Sequence, residues 1–236
     1  MIVFGKQCFE YVLEHAPMQI QEIYLSKDIE KALFKRLQKL CVPILRIDNK
    51  KAQSLSRGKN HQGVFARIET IKITPMQNLL DMKSLIVLCG MSDIGNIGAI
   101  VRSAYALGVC GVIVSDRENL QVQALEGIFR SSSGALLDLP LGFYKSSLDV
   151  ANEAKMRGFT LIGAGKSKEV KMLESKPDKW VLFIGREDIG LSNKLICKLD
   201  YLLHINMYNN FDSLNASVAT GILIDRIQHI KKEYYV

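Results

Sequence analysis

Three short segments combine glycine with polar and charged side chains directly after an apolar run. They are residues 89–98, 185–190 and 205–215. In an open parallel sheet, ligands bind outside the carboxyl ends of the strands, so segments of this kind are where a site is expected. The sequence therefore places its chemistry at three strand ends.

The glycines of the first segment do not form a familiar nucleotide-binding loop. Gly90 lies five residues before Gly95, so the Gly-x-Gly-x-x-Gly fingerprint is absent, and there is no Gly-Lys-Ser/Thr of a Walker loop. The chain also lacks a Gly-x-Ser-x-Gly nucleophile elbow. Its 5 cysteines are scattered and its 4 histidines have no metal-ligand spacing, so neither a disulfide framework nor a metal site is predicted.

Five apolar runs predict the strands that carry these segments. The runs show no polar alternation, which is typical of strands buried on both faces of a parallel sheet. Helical segments lie between them, so the order predicts an α/β domain with helices on both faces of the sheet. A last helix is predicted over residues 213–232, with an apolar stripe formed by Leu214, Val218 and Ile222 and extended by Ile227 and Ile230. The runs are residues 85–88, 112–114, 160–162, 181–184 and 202–205.

The positive charge of the chain lies in its first third. Residues 1–84 contain 14 Lys and Arg against 8 Asp and Glu, a net charge of +6 out of +7 for the whole chain. This charge predicts a polyanionic partner, although a solvated basic surface with no partner explains it equally well. A small α/β domain is predicted here, since a helical run at residues 29–40 is accompanied by strand-like runs at residues 20–25, 43–47 and 63–68. The predicted divisions are a basic domain, a linker and a larger domain, at residues 1–70, 71–84 and 85–236.

Composition and hydropathy exclude several classes of protein. Apolar residues make up 48% of the chain and charged residues 23%, values that are ordinary for a globular protein and unlike those of disordered chains. No apolar run approaches the ~20 residues of a membrane-spanning helix. The first residues lack the pattern of a signal peptide, so a cytoplasmic location is expected.

The three polar segments match the motifs of a known family. Residues 96–104 resemble the first motif of the SpoU-type ribose methyltransferases of the SPOUT superfamily, and residues 183–191 resemble the second. Residues 205–207, followed by 213–219, resemble the third. The resemblance covers residues 85–236, and the start of the chain is similar to the substrate-binding domain that precedes the catalytic domain in ribosomal-RNA members, at residues 4–6 and 61–64.

The resemblance implies an activity, a cofactor and an assembly. The activity is methyl transfer from S-adenosylmethionine (AdoMet) to a ribose 2′-hydroxyl, with a guanosine of 23S rRNA indicated by the N-terminal similarity. It also implies a C-terminal trefoil knot and a homodimer. Two alternatives stay open: a transfer-RNA ribose methyltransferase, and a non-catalytic RNA-binding or ribosome-assembly protein with the same fold.

Family motifs also assign expected roles to individual residues. The backbones of Gly185, Ile205 and Leu214 are expected to bind the cofactor. Arg102 is expected at the RNA end, where its positive guanidinium favours the developing oxyanion, since a guanidinium only donates hydrogen bonds and is a poor proton acceptor. The remaining expected catalytic residues are Asn96, Glu187, Ser213 and Asn215. RNA contacts in the basic domain are expected from Arg57 and Lys59 in a glycine-containing loop and from Lys35 and Arg36 on the predicted helix.

Each of these residues also has a plain structural interpretation. Asn96 is a good helix N-cap, and Ser213 and Asn215 suit the cap and first turn of the last helix. Glu187 could be a solvated carboxylate, whereas its functional interpretation is that it orients Arg102. Two positions depart from the family pattern, because Ile94 and Asn206 stand where proline is usual. Neither supplies a reacting side chain, so the expected consequence is a change in loop stiffness.

Overall fold

A computed structural model describes residues 1–117, 122–165, 173–209 and 213–230 of the chain. The N-terminal part forms a four-stranded sheet in the order β1-β4-β2-β3, in which only β2 and β3 run parallel. Its strands are β1 (Ile2–Phe4), β2 (Ile20–Leu25), β3 (Ile44–Arg46) and β4 (Val64–Ile68). Three helices accompany them: α1 (Lys6–His15), α2 (Lys31–Gln38) and α3 (Asn49–Ser56). The predicted small α/β domain is therefore present.

The rest of the chain is built on a six-stranded sheet in the order β10-β8-β9-β5-β6-β7, and every pairing in it is parallel. Three of its strands, β5, β6 and β9, are buried along their whole length, as continuous apolar runs predict. The strands are β5 (Ser84–Cys89), β6 (Gly111–Ser115), β7 (Leu141–Tyr144), β8 (Thr160–Ala164), β9 (Trp180–Ile184) and β10 (Tyr201–Leu203).

Helices cover both faces of this sheet. Alternate residues of β5 show the division, since Ile86 and Leu88 pack into one core and Leu85 and Val87 into another. The first core includes side chains of α5 (Ile94–Ala106), α6 (Val122–Ser131) and α9 (Ala216–Gln228). The second includes those of α4 (Met76–Leu80), α7 (Ser147–Met156) and α8 (Asn193–Ile196). The predicted parallel α/β architecture is confirmed, and the knot stays a prediction.

The segment between the two sheets is packed against the larger one. Helix α4 lies within residues 71–84, and its Leu79 and Leu80 are buried. The amide of Thr74 donates to the carbonyl of Leu141 at 2.8 Å. A helix of 5 residues makes less than two turns, so it leaves no period in the sequence, and a linker without structure was the expectation.

The last helix buries only one end of the predicted stripe. Ile227 faces the core together with Leu223 and Ile224, whereas Val218 is 51% exposed and Ile222 is half-buried. The earlier part of the predicted stripe, at Val218 and Ile222, therefore lies on the outer edge of α9. Four-residue spacing alone does not distinguish two neighbouring apolar stripes on one helix.

Candidate functional site

Asn96 lies on the first turn of α5, immediately beyond the carboxyl end of β5. The helix begins there because the side chain of Asp93 accepts a hydrogen bond from the amide of Asn96 at 2.6 Å. Asp93 is therefore the N-cap, and the interpretation of Asn96 as the cap is wrong. This leaves the carboxamide of Asn96 available for contacts with other segments.

The carboxylate of Glu187 joins the three sequence motifs. Its Oε1 atom accepts from Asn96 Nδ2 at 3.2 Å, from the Ala216 amide at 3.1 Å and from Asn215 Nδ2 at 3.4 Å. The amide of Asn215 also donates to Asn96 Oδ1 at 2.9 Å. These contacts form a closed network, which we call the motif triad: Asn96, Glu187 and Asn215. Residues far apart in the sequence thus fix three loops against one another.

Asn215 has the predicted role of helix cap and also takes part in the motif triad. Its Oδ1 accepts from the Ser217 amide at 2.9 Å and so caps α9, while its Nδ2 faces Glu187 and Asn96. The cap fixes the side chain, which then presents its amide to the triad. Ser213 is exposed and makes no side-chain hydrogen bond within the described part of the chain, so the structure does not bring it into this network.

Arg102 lies further along α5 with its side chain exposed to solvent. Its Nη1 donates to Ser133 Oγ at 3.2 Å. Ser133 and Gly134 follow the end of α6 with left-handed backbone angles, φ 56° and 98°. Within the described residues the carboxylate of Glu187 accepts hydrogen bonds from Asn96, Asn215 and Ala216. The predicted orientation of Arg102 by Glu187 is therefore not seen within one chain. The role of Ser133 was missed, because only the fold brings it to α5.

Gly185 is required by the shape of the loop that follows β9. Arg186 and Gly190 form an antiparallel bridge, with the Gly190 amide donating to the Arg186 carbonyl at 2.8 Å. A Cβ atom on Gly185 would lie 2.2 Å from the Gly190 carbonyl carbon, which is a severe overlap. The guanidinium of Arg186 bonds Asp188 at 3.0 and 2.6 Å and holds the pKa of that carboxyl below its usual value. The loop is thus a tightly closed turn.

The residues expected to hold AdoMet fit an adenosine-like group. Ile205 and Leu214 are half-buried and lie on either side of the segment that links β10 to α9. Among the described residues, neither takes part in a backbone–backbone hydrogen bond, so within these ranges no backbone partner competes with a ligand for their amides and carbonyls. Apolar surface combined with open backbone groups suits a flat, polar-edged ring such as adenine.

The four cations expected to bind RNA occupy two places. Lys35 and Arg36 are exposed on α2. Arg57 and Lys59 line a cavity of about 450 Å³ that also includes residues 92–95 of the first polar segment. Arg57 pairs there with Glu126 at 3.3 Å, so basic side chains of the N-terminal part lie beside this segment.

No cluster of three or more His, Cys, Asp and Glu side chains is arranged to hold a metal ion in the described part of the chain. No helix formed by residues of the described ranges is both long and apolar enough to cross a membrane.

Comparison with known proteins covers nearly the whole chain. The 23S rRNA (guanosine-2′-O-)-methyltransferase RlmB of Escherichia coli strain K12 is 28% identical over 94% of this chain and 96% of its own length. The corresponding RlmB of Shewanella oneidensis is 26% identical over 94% of both chains. These relatives are therefore similar to this chain in length.

Solved structures show the same fold. The SpoU methyltransferase AviRb from Streptomyces viridochromogenes, in complex with AdoMet, superposes with a TM-score of 0.76 at 23% identity, over 97% of this chain and 89% of that one. An AdoMet-bound rRNA methyltransferase from Sinorhizobium meliloti gives 0.74 at 22% identity, over 96% and 86%. The family description "RNA 2′-O ribose methyltransferase substrate binding" matches residues 2–73, and "SpoU rRNA Methylase family" matches residues 83–225. The chain belongs to the SpoU rRNA methylase family.

Proposed function

We propose that this protein transfers the methyl group of AdoMet to the 2′-hydroxyl of a guanosine in 23S rRNA. The observation that carries the proposal is the motif triad, in which Glu187 ties Asn96 and Asn215 into one site. The substrate assignment is supported by the RlmB relatives, which match both the substrate-binding and the catalytic parts of the chain. An rRNA substrate also agrees with a cytoplasmic location.

The cofactor would lie against the backbones of Gly185, Ile205 and Leu214. When bound, AdoMet supplies an electrophilic methyl group on a positively charged sulfur. The motif triad holds the loop after β9 against the start of α9, so two sides of this site are fixed before any ligand arrives. Such preorganisation removes part of the entropic cost of aligning donor and acceptor.

Arg102 would act at the ribose. Its guanidinium stabilises negative charge that develops on the 2′-oxygen as the methyl group is transferred, and its planar fork can also bind the neighbouring phosphate. The reaction yields the 2′-O-methyl ether, S-adenosylhomocysteine and one proton. Ser213, exposed near the start of α9, is proposed to contact the substrate.

Two measurements separate the proposed enzyme from its alternatives. Calorimetric titration with AdoMet and S-adenosylhomocysteine is expected to show binding of both, whereas a pure RNA-binding or assembly protein will bind neither. Methyl transfer is then compared between unmodified 23S rRNA and unmodified tRNA. Preferential methylation of tRNA would contradict the rRNA assignment and leave the reaction class intact.

RNA capture by the basic domain predicts a defined salt dependence. Phosphate contacts release counterions, so each lost contact reduces the slope of log affinity against log salt by about 1. The double variant Lys35→Ala/Arg36→Ala should therefore bind 23S rRNA fragments more weakly, with a slope reduced by about 2. Filter binding at four salt concentrations measures this. Lys194→Ala, an exposed lysine on α8, is the matched control, and equal slopes for all three proteins would rule out capture by α2.

A homodimer is also predicted. The outer edge of α9 leaves Val218 51% exposed on a helix whose opposite face is buried, and closed two-fold dimers are the commonest assemblies. Light scattering at micromolar concentration should give twice the chain mass of 26.5 kDa. Val218→Asp should shift the protein to monomers, whereas Met156→Asp, at a 73% exposed position on α7, should not. A monomeric wild-type protein would contradict the prediction.

A further inference from the structure

The N-terminal domain docks on helix α6 and on the turn after it, whose Ser133 side chain bonds Arg102. Both elements receive contacts from both ends of that domain. The Ile2 amide donates to Glu126 Oε1 at 3.2 Å, and the Cys8 thiol lies 3.6 Å from the Arg130 carbonyl. Apolar side chains of the two domains share one core. The docking surface therefore extends to the turn that carries Ser133.

Tyr11 makes the contact closest to that turn. Its ring packs so tightly on Gly134 that a Cβ atom there would lie 2.7 Å from Tyr11 Cγ. Its hydroxyl donates to Asp138 Oδ2 at 2.6 Å, and the ring stacks on His15 with centroids 4.1 Å apart. Burial, reinforced by the hydrogen bond to Asp138, raises the pKa of Tyr11, so the hydroxyl stays protonated and remains a donor. The ring and the hydroxyl thus hold the two ends of residues 134–138, the segment that begins in this turn.

The same turn restrains Arg102 from the other side. Ser133, next to Gly134, accepts the hydrogen bond from Arg102 at 3.2 Å. Its left-handed φ of 56° is uncommon for a residue other than glycine and persists only where surrounding contacts impose it. Backbone hydrogen bonds close the turn, from the Ser133 amide to the Arg130 carbonyl at 3.1 Å and from the Gly134 amide to the Phe129 carbonyl at 3.0 Å, and the ring of Tyr11 packs on it at Gly134. A chain of direct contacts therefore runs from α1 through the turn to the guanidinium.

We propose that Tyr11 is a positioning residue for methyl transfer, which fixes the 133–134 turn so that Ser133 holds Arg102 at the ribose. This inference rests on the proposed role of Arg102. Through Tyr11, seating of the substrate-binding domain sets the geometry of a residue in the other domain. A long arginine side chain with no restraint samples many rotamers, and small misplacements of reacting groups reduce the rate strongly.

Steady-state kinetics on the full-length protein test the proposal. Tyr11→Ala should lower kcat by about tenfold, while KM for RNA and the Kd for AdoMet stay within about twofold, since neither ligand is held by Tyr11. Tyr11→Phe keeps the ring on Gly134 and loses the hydroxyl with its bond to Asp138, so it should recover most of the lost kcat. Glu14→Ala, an exposed position on the same helix, is the matched control.

A double-mutant cycle on kcat distinguishes a positioning role of Tyr11 from a merely structural one. Ser133→Ala should lower kcat by about tenfold, because one hydrogen bond to Arg102 is lost. In that background Tyr11→Ala should add less than about a twofold loss, since both changes break the same chain of contacts. Losses that multiply, a change in KM alone, or full kcat in Tyr11→Ala would each overturn the proposal. If Arg102→Ala is inactive and the Tyr11 variants are fully active, only the inference about Tyr11 is overturned. If Arg102→Ala is fully active, the proposed role of Arg102 is overturned as well.

Discussion

Arg102→Ala is expected to reduce methyl transfer to 23S rRNA by a factor of about 10²–10³, the usual cost of removing one donor that stabilises a developing oxyanion. Affinity for AdoMet and thermal stability should stay near the wild-type values. Arg102 is exposed and is bonded to Ser133 at the surface, and surface substitutions of this kind change stability by about 0.5 kcal/mol or less. Single-turnover rates with saturating cofactor measure the loss directly.

Two companion variants separate charge from geometry at this position. Arg102→Lys should also be impaired, because an ammonium group keeps the charge but cannot bond the hydroxyl and phosphate with a planar fork. Arg157→Ala is the matched control. Arg157 lies just beyond the end of α7 and pairs at 2.7 Å with the exposed Asp81, a contact worth less than about 1 kcal/mol. Near-normal turnover in Arg102→Ala would remove this residue from the mechanism.

Gly185→Ala is expected to weaken AdoMet binding by about 10–100-fold, the equivalent of the 1–3 kcal/mol that overpacking usually costs. The added methyl group would overlap the backbone at Gly190, 2.2 Å away, and the backbone cannot move aside as a flexible side chain could. The loop after β9 must therefore open, which displaces one wall of the proposed cofactor site. Calorimetry with S-adenosylhomocysteine gives the change in Kd.

A second glycine shows whether the effect is specific. Gly221 lies within α9, and the nearest atom to an added Cβ there is Ser103 Oγ at 4.0 Å. Gly221→Ala should leave the Kd unchanged and raise stability slightly, because alanine is the better helix former. Wild-type affinity in Gly185→Ala would show that the closed turn plays no part in binding. A fall in melting temperature without a change in Kd would show the same.

Much of the larger domain could be predicted because its strands are buried on both faces. Runs such as residues 85–88 and 181–184 contain no polar residue, and each coincides with a fully buried strand. β7 (Leu141–Tyr144) was not predicted, since a four-residue edge strand that contains glycine gives little signal. The five-residue helix α4 was missed for the same reason, its shortness.

Part of the candidate site could also be predicted from the sequence, and part could not. Family motifs in the sequence singled out Asn96, Glu187 and Asn215, and the structure joins those three side chains by hydrogen bonds. The partner of Arg102 could not be predicted. Ser133 approaches it only because a left-handed turn closes α6, and Tyr11 from another domain packs against that turn. Sequence patterns report local periodicity and do not encode such contacts.

The most direct test of the account is to locate the transferred methyl group. Unmodified 23S rRNA is incubated with the protein and isotope-labelled AdoMet, digested to nucleosides and analysed by mass spectrometry, with Arg102→Ala as the inactive control. We predict that the label appears as 2′-O-methylguanosine and is absent from the control reaction. Label on a nucleobase, on another nucleoside, or in no nucleoside although AdoMet binds would contradict the account.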